Sequence, residues 1–81
     1  MAKYYGQYEV NTAFLRKISK KIKEIRLKKG FTVEQLSETS SLNPVTIFRI
    51  ESGKKNFSIS SFRDLCHGLG IKPRAFDDIF E

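Results

Sequence analysis

Thr32-Val33-Glu34-Gln35-Leu36-Ser37-Glu38-Thr39-Ser40-Ser41-Leu42-Asn43-Pro44-Val45-Thr46-Ile47-Phe48-Arg49-Ile50-Glu51 contains two helix beginnings separated by one tight turn. Thr32 is a good N-cap, and Gln35 three residues later completes a capping box, in which each residue satisfies a backbone N–H of the other. Phe31, just before the cap, is placed to staple onto Leu36. This first helix is short, because Ser40-Ser41-Leu42 reads as a turn. Asn43 followed by Pro44 then pairs a capping side chain with the residue best suited to a first helical position. In the second helix Ile47 and Ile50 point inward at a three-residue spacing, and the helix stops near Gly53.

Upstream, Phe14, Ile18, Ile22 and Ile25 recur three or four residues apart, with Leu15 and Leu27 on their flanks. That period predicts a helix from about residue 12 to Lys29, capped by Asn11 or Thr12 and ended by Gly30, with Lys28 and Lys29 at the negative end of its dipole. Downstream, Lys54, Lys55 and Asn56 form a polar loop, and Ser58 caps a helix whose stripe is Ile59, Phe62, Leu65, Cys66 and Leu69, ended by Gly70. Pro73 opens a fifth helix carrying Ala75, Phe76, Ile79 and Phe80. Two readings of that apolar end stand side by side: it folds back onto the first and fourth helices as core, or it meets a partner. Residues 1–11 hold Tyr4, Tyr5, Tyr8 and Gly6 without a helical period and read as an arm. The expected architecture is all-α: an arm over 1–11 and a five-helix domain over 12–81.

The chain has 81 residues and a formal net charge of +6, unevenly spread. From Arg16 to Lys29 there are eight Lys or Arg against the single Glu24, whereas Phe57 to Glu81 is slightly acidic. Such asymmetry suggests a polyanionic partner for one face, although a lysine-rich helix is also an ordinary solvated surface. No apolar run is of membrane-spanning length and no apolar signal segment opens the sequence, so a soluble, cytoplasmic protein is expected, with no membrane partner. Cys66 is the single cysteine and lies on an apolar stripe, which reads as a buried structural thiol. His67 has no second histidine beside it, so neither a metal site nor a cofactor is expected. The acids are scattered over helix faces without the grouping that catalysis needs, and the reading is of a non-enzyme. A small core also leaves little room for a small-molecule effector.

Two short helices joined by a tight turn, behind a basic helix, form the arrangement that presents its second helix to the major groove of DNA. The residues Ile22-x-x-Ile25-Arg26, Lys29-Gly30-Phe31-Thr32, Gln35-Leu36, Thr46-Ile47-x-Arg49-Ile50-Glu51-x-Gly53-Lys54 and Leu65 through Ile71 carry a further likeness. Over Ile18 to Phe80 the chain resembles the lambda-repressor-like (Cro/C1, XRE) helix-turn-helix family. Its length, its charge and the segment Lys55-Asn56-Phe57-Ser58-Ile59 look like the controller proteins of restriction-modification systems.

The resemblance implies a bacterial or phage-encoded transcription regulator that binds a palindromic operator in double-stranded DNA as a homodimer. It pairs Arg26 with Glu51, a reading strengthened by the dipole: a carboxylate at a helix carboxyl end is unfavourable unless a cation holds it. The alternative for Arg26 is a phosphate contact. The family reads bases with residues that match Asn43, Pro44, Val45, Thr46, Phe48 and Arg49. Arg49 is the first choice for specificity, since its fork fits the O6 and N7 acceptors of guanine; its alternative is a phosphate. Phosphate contacts are expected around Thr32 and Val33 and from Lys54, Lys55 and Asn56. The chain departs from the family where Val33 replaces a common glutamine and Ser41 a common glycine, and its reading face is unusually apolar. Phe76, Ile79 and Phe80 are the expected dimer contacts. The competing reading is a protein-interaction module, or the antitoxin of a toxin–antitoxin pair, whose apolar face binds a partner helix.

Overall fold

Helix α1 (Thr12–Lys28) opens the part of the chain that the structure, a computed structural model, describes: residues 12–54 and 56–80. The tyrosine-bearing arm, the proposed cap Asn11, Lys55 and the side chain of Phe80 lie outside the described residues. Leu15, Ile18, Ile22 and Arg26 are buried on one side of α1, while Leu27, expected on its flank, is 57% exposed. At its end the N–H of Phe31 donates to the Arg26 carbonyl and that of Gly30 to the Leu27 carbonyl, each at 3.0 Å. This closing pair requires a left-handed residue between them, and Gly30 supplies it at φ 77° without a Cβ to obstruct it.

Helix α2 (Val33–Ser40) begins on the capping box read from the sequence: Thr32 Oγ1 accepts from Gln35 N at 3.0 Å, and Gln35 Oε1 accepts from Thr32 N at 2.8 Å. It ends at Ser41, which adopts φ 65°, ψ 17°, the conformation that glycine holds most cheaply. The turn is held by its neighbours, as the Ser37 hydroxyl donates to the Leu42 carbonyl at 2.6 Å and Leu42 N donates to Ser40 Oγ at 3.2 Å. Ser41→Gly therefore removes steric strain without removing any of these bonds, and is expected to stabilise the fold by about 1 kcal/mol. A higher urea midpoint at unchanged slope is the result to look for.

Helix α3 (Pro44–Glu51) has Asn43 as its cap, whose Oδ1 accepts from Val45 N at 2.8 Å, and Pro44 in its first turn. Ser58 caps helix α4 (Ile59–Leu69) through Ser61 N at 3.0 Å. The interior of α4 contains Gly68, an unfavourable helix residue taken alone. A Cβ there would lie 2.8 Å from Ser40 Cβ and 2.9 Å from Ser40 N, so this glycine lets α2 and α4 touch backbone to side chain. Thr39 Oγ1 completes the contact by donating to the Gly68 carbonyl at 3.0 Å.

One core draws on every element: Ile18 and Ile22, Leu36, Ile47 and Ile50, Phe62, Leu65, Cys66 and Leu69, and finally Phe76. Burial raises the Cys66 thiol above its ordinary value, which keeps it protonated and unreactive.

The expected fifth helix (Pro73–Phe80) is present and has 3₁₀ geometry, which suits the three-residue spacing of Pro73, Phe76 and Ile79. One expected contact needs correction. Phe76, expected at a dimer interface, is fully buried, with its ring 5.0 Å from that of Phe62 at 72° and the Lys21 ammonium 5.7 Å above it. For this residue the fold-back reading holds, and an interface role is ruled out by burial. Lys21 also binds Asp78 at 2.7 Å and holds that carboxyl below its usual value, tying the 3₁₀ helix to α1. Ile59 shows the converse: expected on the α4 stripe, it is 79% exposed, one turn beyond where the core ends.

Candidate nucleic-acid interface

Because Ile47 and Ile50 are fully buried, the helical period turns Pro44, Val45, Phe48 and Arg49 outward together. Val45 is 56% and Phe48 67% exposed, and together with Val33 and Pro44 they line one cleft, which makes an apolar patch rather than a scattered exposure. Proline fixes the first turn and Asn43 its cap, so this face is presented by a short but well-specified helix.

Two open clefts meet at Phe48. The first is lined by Arg26, Thr32, Val33, Glu34, Pro44, Val45 and Phe48, so the amino ends of α2 and α3 border one depression. The second is lined by Phe48, Arg49, Ser52, Lys54 and Asn56, and runs along the carboxyl half of α3. Of the residues singled out in the sequence, Thr32, Val33, Pro44, Val45, Phe48, Arg49, Lys54 and Asn56 are thus brought to one continuous surface. Lys55 lies outside the described residues. Asn43 is exposed but spends its side-chain oxygen on the cap, and Thr46 is half-buried at the edge of the helix. Ile79 is half-buried and borders a different cleft, with Lys17, Lys20, Lys21, Glu24 and Asp78.

Sequence reasoning passed over two lining residues. Ser52 extends the α3 face one turn past Phe48, and its hydroxyl donates to the Arg49 carbonyl at 2.7 Å; the spacing of four from Phe48 is the signal that identifies it. Glu34 places a carboxylate in the first turn of α2, which suits the helix dipole but repels a phosphate. Nothing in the sequence pattern distinguishes it from an ordinary dipole-stabilising residue.

Beneath the first cleft Arg26 and Glu51 form a forked pair, Nε to Oε2 at 2.7 Å and Nη2 to Oε1 at 3.0 Å, with side chains only 9% and 5% exposed. Arg26 Nη1 also donates to the Phe31 carbonyl at 2.8 Å. The hydrogen bonds that Arg26 donates to Glu51 raise its pKa against the opposing effect of burial, so the guanidinium stays charged. One arginine thus joins the end of α1, the loop leading to α2 and the end of α3, and sets the angle at which the exposed face is held. With three bonds to protein groups, it is committed to that task.

Among the described residues no three His, Cys, Asp or Glu side chains come together as a metal site would require, and no helix is long and apolar enough to cross a membrane.

Residues 22–76 match the helix-turn-helix family. Among solved structures, the wild-type restriction-modification controller protein C.Esp1396I is 35% identical with a TM-score of 0.77, covering 88% of this chain and 88% of its own. The controller protein C.AhdI from Aeromonas hydrophila is 32% identical with a TM-score of 0.73, over 76% of this chain and 94% of its own. A C.Esp1396I variant bound to its highest affinity operator site is 34% identical with a TM-score of 0.77, over 84% of this chain and 96% of its own. No curated protein matches in sequence. By the family match across α1 to the 3₁₀ helix, and by its likeness to these proteins over most of both chains, the chain belongs to the helix-turn-helix family of restriction-modification controller proteins.

Proposed function

We propose that the chain is a sequence-specific regulator of transcription that binds double-stranded DNA as a homodimer on a palindromic operator, controlling a restriction-modification system. The observation that carries this reading is the exposed α3 face, with Arg49 and Lys54 beside Phe48 and the amino end of α2 across the cleft. In this arrangement α3 enters the major groove, Arg49 meets a guanine edge, and Thr32, Lys54 and Asn56 meet phosphates on either side. The bound relative meets its operator through the same fold. Binding of this kind needs no catalytic group, cofactor or effector, and it places the protein in the cytoplasm with the DNA; regulation follows protein concentration.

Arg49→Ala is expected to relax preference at one base pair of each half-site, at a cost of about 1–3 kcal/mol. Competition between operator variants reads this directly. Unchanged preference would make Arg49 a phosphate contact.

A single small module binds weakly, and two-fold pairing aligns two reading helices with half-sites about 34–36 Å apart. With Phe76 buried, Ile59, 79% exposed at the start of α4, is an apolar side chain offered to a second copy. Ile59→Asp is expected to give monomers in sedimentation at micromolar concentration and to weaken operator binding; a variant that stays dimeric places the interface elsewhere.

The exposure of Val45 and Phe48 also favours a second reading, in which the face binds a partner helix, as in an antitoxin. Salt separates the two readings, since phosphate binding weakens steeply as salt rises and apolar docking does not.

A further inference from the structure

We infer that Phe48 and Val45 read the C5-methyl group of thymine, so that part of the operator's specificity is recognition of methyl groups rather than of hydrogen-bonding edges. This rests on the DNA-binding reading above and specifies what the apolar part of that face recognises.

Phe48 is 67% exposed, forms a wall of both clefts, and is followed by Arg49. Val45 is 56% exposed, lies one helical turn before Phe48 on the same side, and shares the first cleft with Pro44 and Val33. None of these four side chains has a hydrogen-bonding group. A surface so composed gains nothing from the donors and acceptors that line the major groove, and would desolvate them without compensation. The groove wall offers one apolar feature, the thymine methyl. The two cations on the other side of Phe48 favour DNA as the occupant: Arg49 and Lys54 border that cleft together with the polar Asn56, set to meet phosphates and a guanine edge, and the carboxylate of Glu34 is confined to the first cleft. The face therefore fits a half-site in which a guanine met by Arg49 neighbours A·T pairs whose thymine methyls pack on Phe48 and Val45.

Deoxyuridine differs from thymidine by that methyl alone and leaves base pairing intact. The experiment takes an operator recovered by selection from random duplex DNA and replaces each half-site thymine by deoxyuridine in turn. Wild-type protein is expected to bind about fourfold more weakly for each contacted methyl removed. Phe48→Ala and Val45→Ser, both at exposed positions, are expected to fold normally, to bind the thymine operator more weakly, and to lose sensitivity to deoxyuridine at one position each. Equal affinity of the wild type for thymine and deoxyuridine operators would overturn the inference, as would a Phe48→Ala variant that keeps the full response. If Phe48→Ala left DNA binding unmoved, a protein partner would be the occupant of this face. Failure to recover any operator would overturn the DNA-binding reading itself, and this inference with it.

Discussion

Arg26→Met lowers the unfolding free energy by about 3–5 kcal/mol, because it leaves the carboxylate of Glu51 buried without its partner. Glu51 ends α3, where the helix dipole is already negative, so the orphaned charge meets carbonyls and not donors. The bond to the Phe31 carbonyl goes as well, freeing the loop that leads into α2. For a domain of this size such a loss approaches the whole margin of stability. The double variant Arg26→Met with Glu51→Leu is expected to recover much of it, since the cost lies in the unpaired charge and a packed apolar pair avoids it. Urea unfolding of the two single variants and the double variant measures the coupling; equal losses in Arg26→Met and the double variant would mean that packing around the pair, and not its charge, holds α1 to α3.

Phe76→Ala is expected to cost a similar amount, about 3–5 kcal/mol, through lost burial and the cavity left against Phe62. The Lys21 ammonium loses its contact with the ring at the same time. Because Phe76 is the most carboxyl-terminal residue of the core, its loss should also release the 3₁₀ helix from α1. Thermal unfolding of a monomeric background, Ile59→Asp, isolates this effect from association. A melting temperature there less than about 4–8 °C below the parent, the shift expected for 1 kcal/mol in a domain of 60–100 residues, would return Phe76 to the surface.

What was legible in the sequence was written locally. The Thr32–Gln35 box, the Asn43–Pro44 start and the Ser58 cap each join residues within three positions, and a backbone N–H that needs a partner finds it or does not without reference to the rest of the chain. The exposed reading face was legible for a related reason. Once Ile47 and Ile50 are inward on so short a helix, Val45, Phe48 and Arg49 have only one way to point. The Arg26–Glu51 pair, separated by 25 positions, came from family likeness and dipole chemistry together. Ile59, expected on the core stripe, is exposed, and Phe76, open to either a core or a partner reading, is buried, because both are apolar at helical spacing and only the tertiary arrangement decides which one a neighbour covers. The contact of Gly68 with Ser40 is non-local in the same way: the sequence shows a helix weakened by glycine, and the structure shows the second backbone that needs the space. Glu34 joined the candidate surface only when α2 and α3 were seen to border the same cleft, whereas Ser52 follows from its spacing of four from Phe48.

The central claim is that α3 reads DNA sequence while its surroundings hold phosphates. Selection of bound sites from random duplex DNA by the purified protein, at a low and a near-physiological salt concentration, tests it most directly. The account predicts a palindrome with half-site centres about one helical turn apart, recovered at both concentrations and bound more weakly at the higher one. Weak binding that vanishes with salt and enriches no sequence would contradict it.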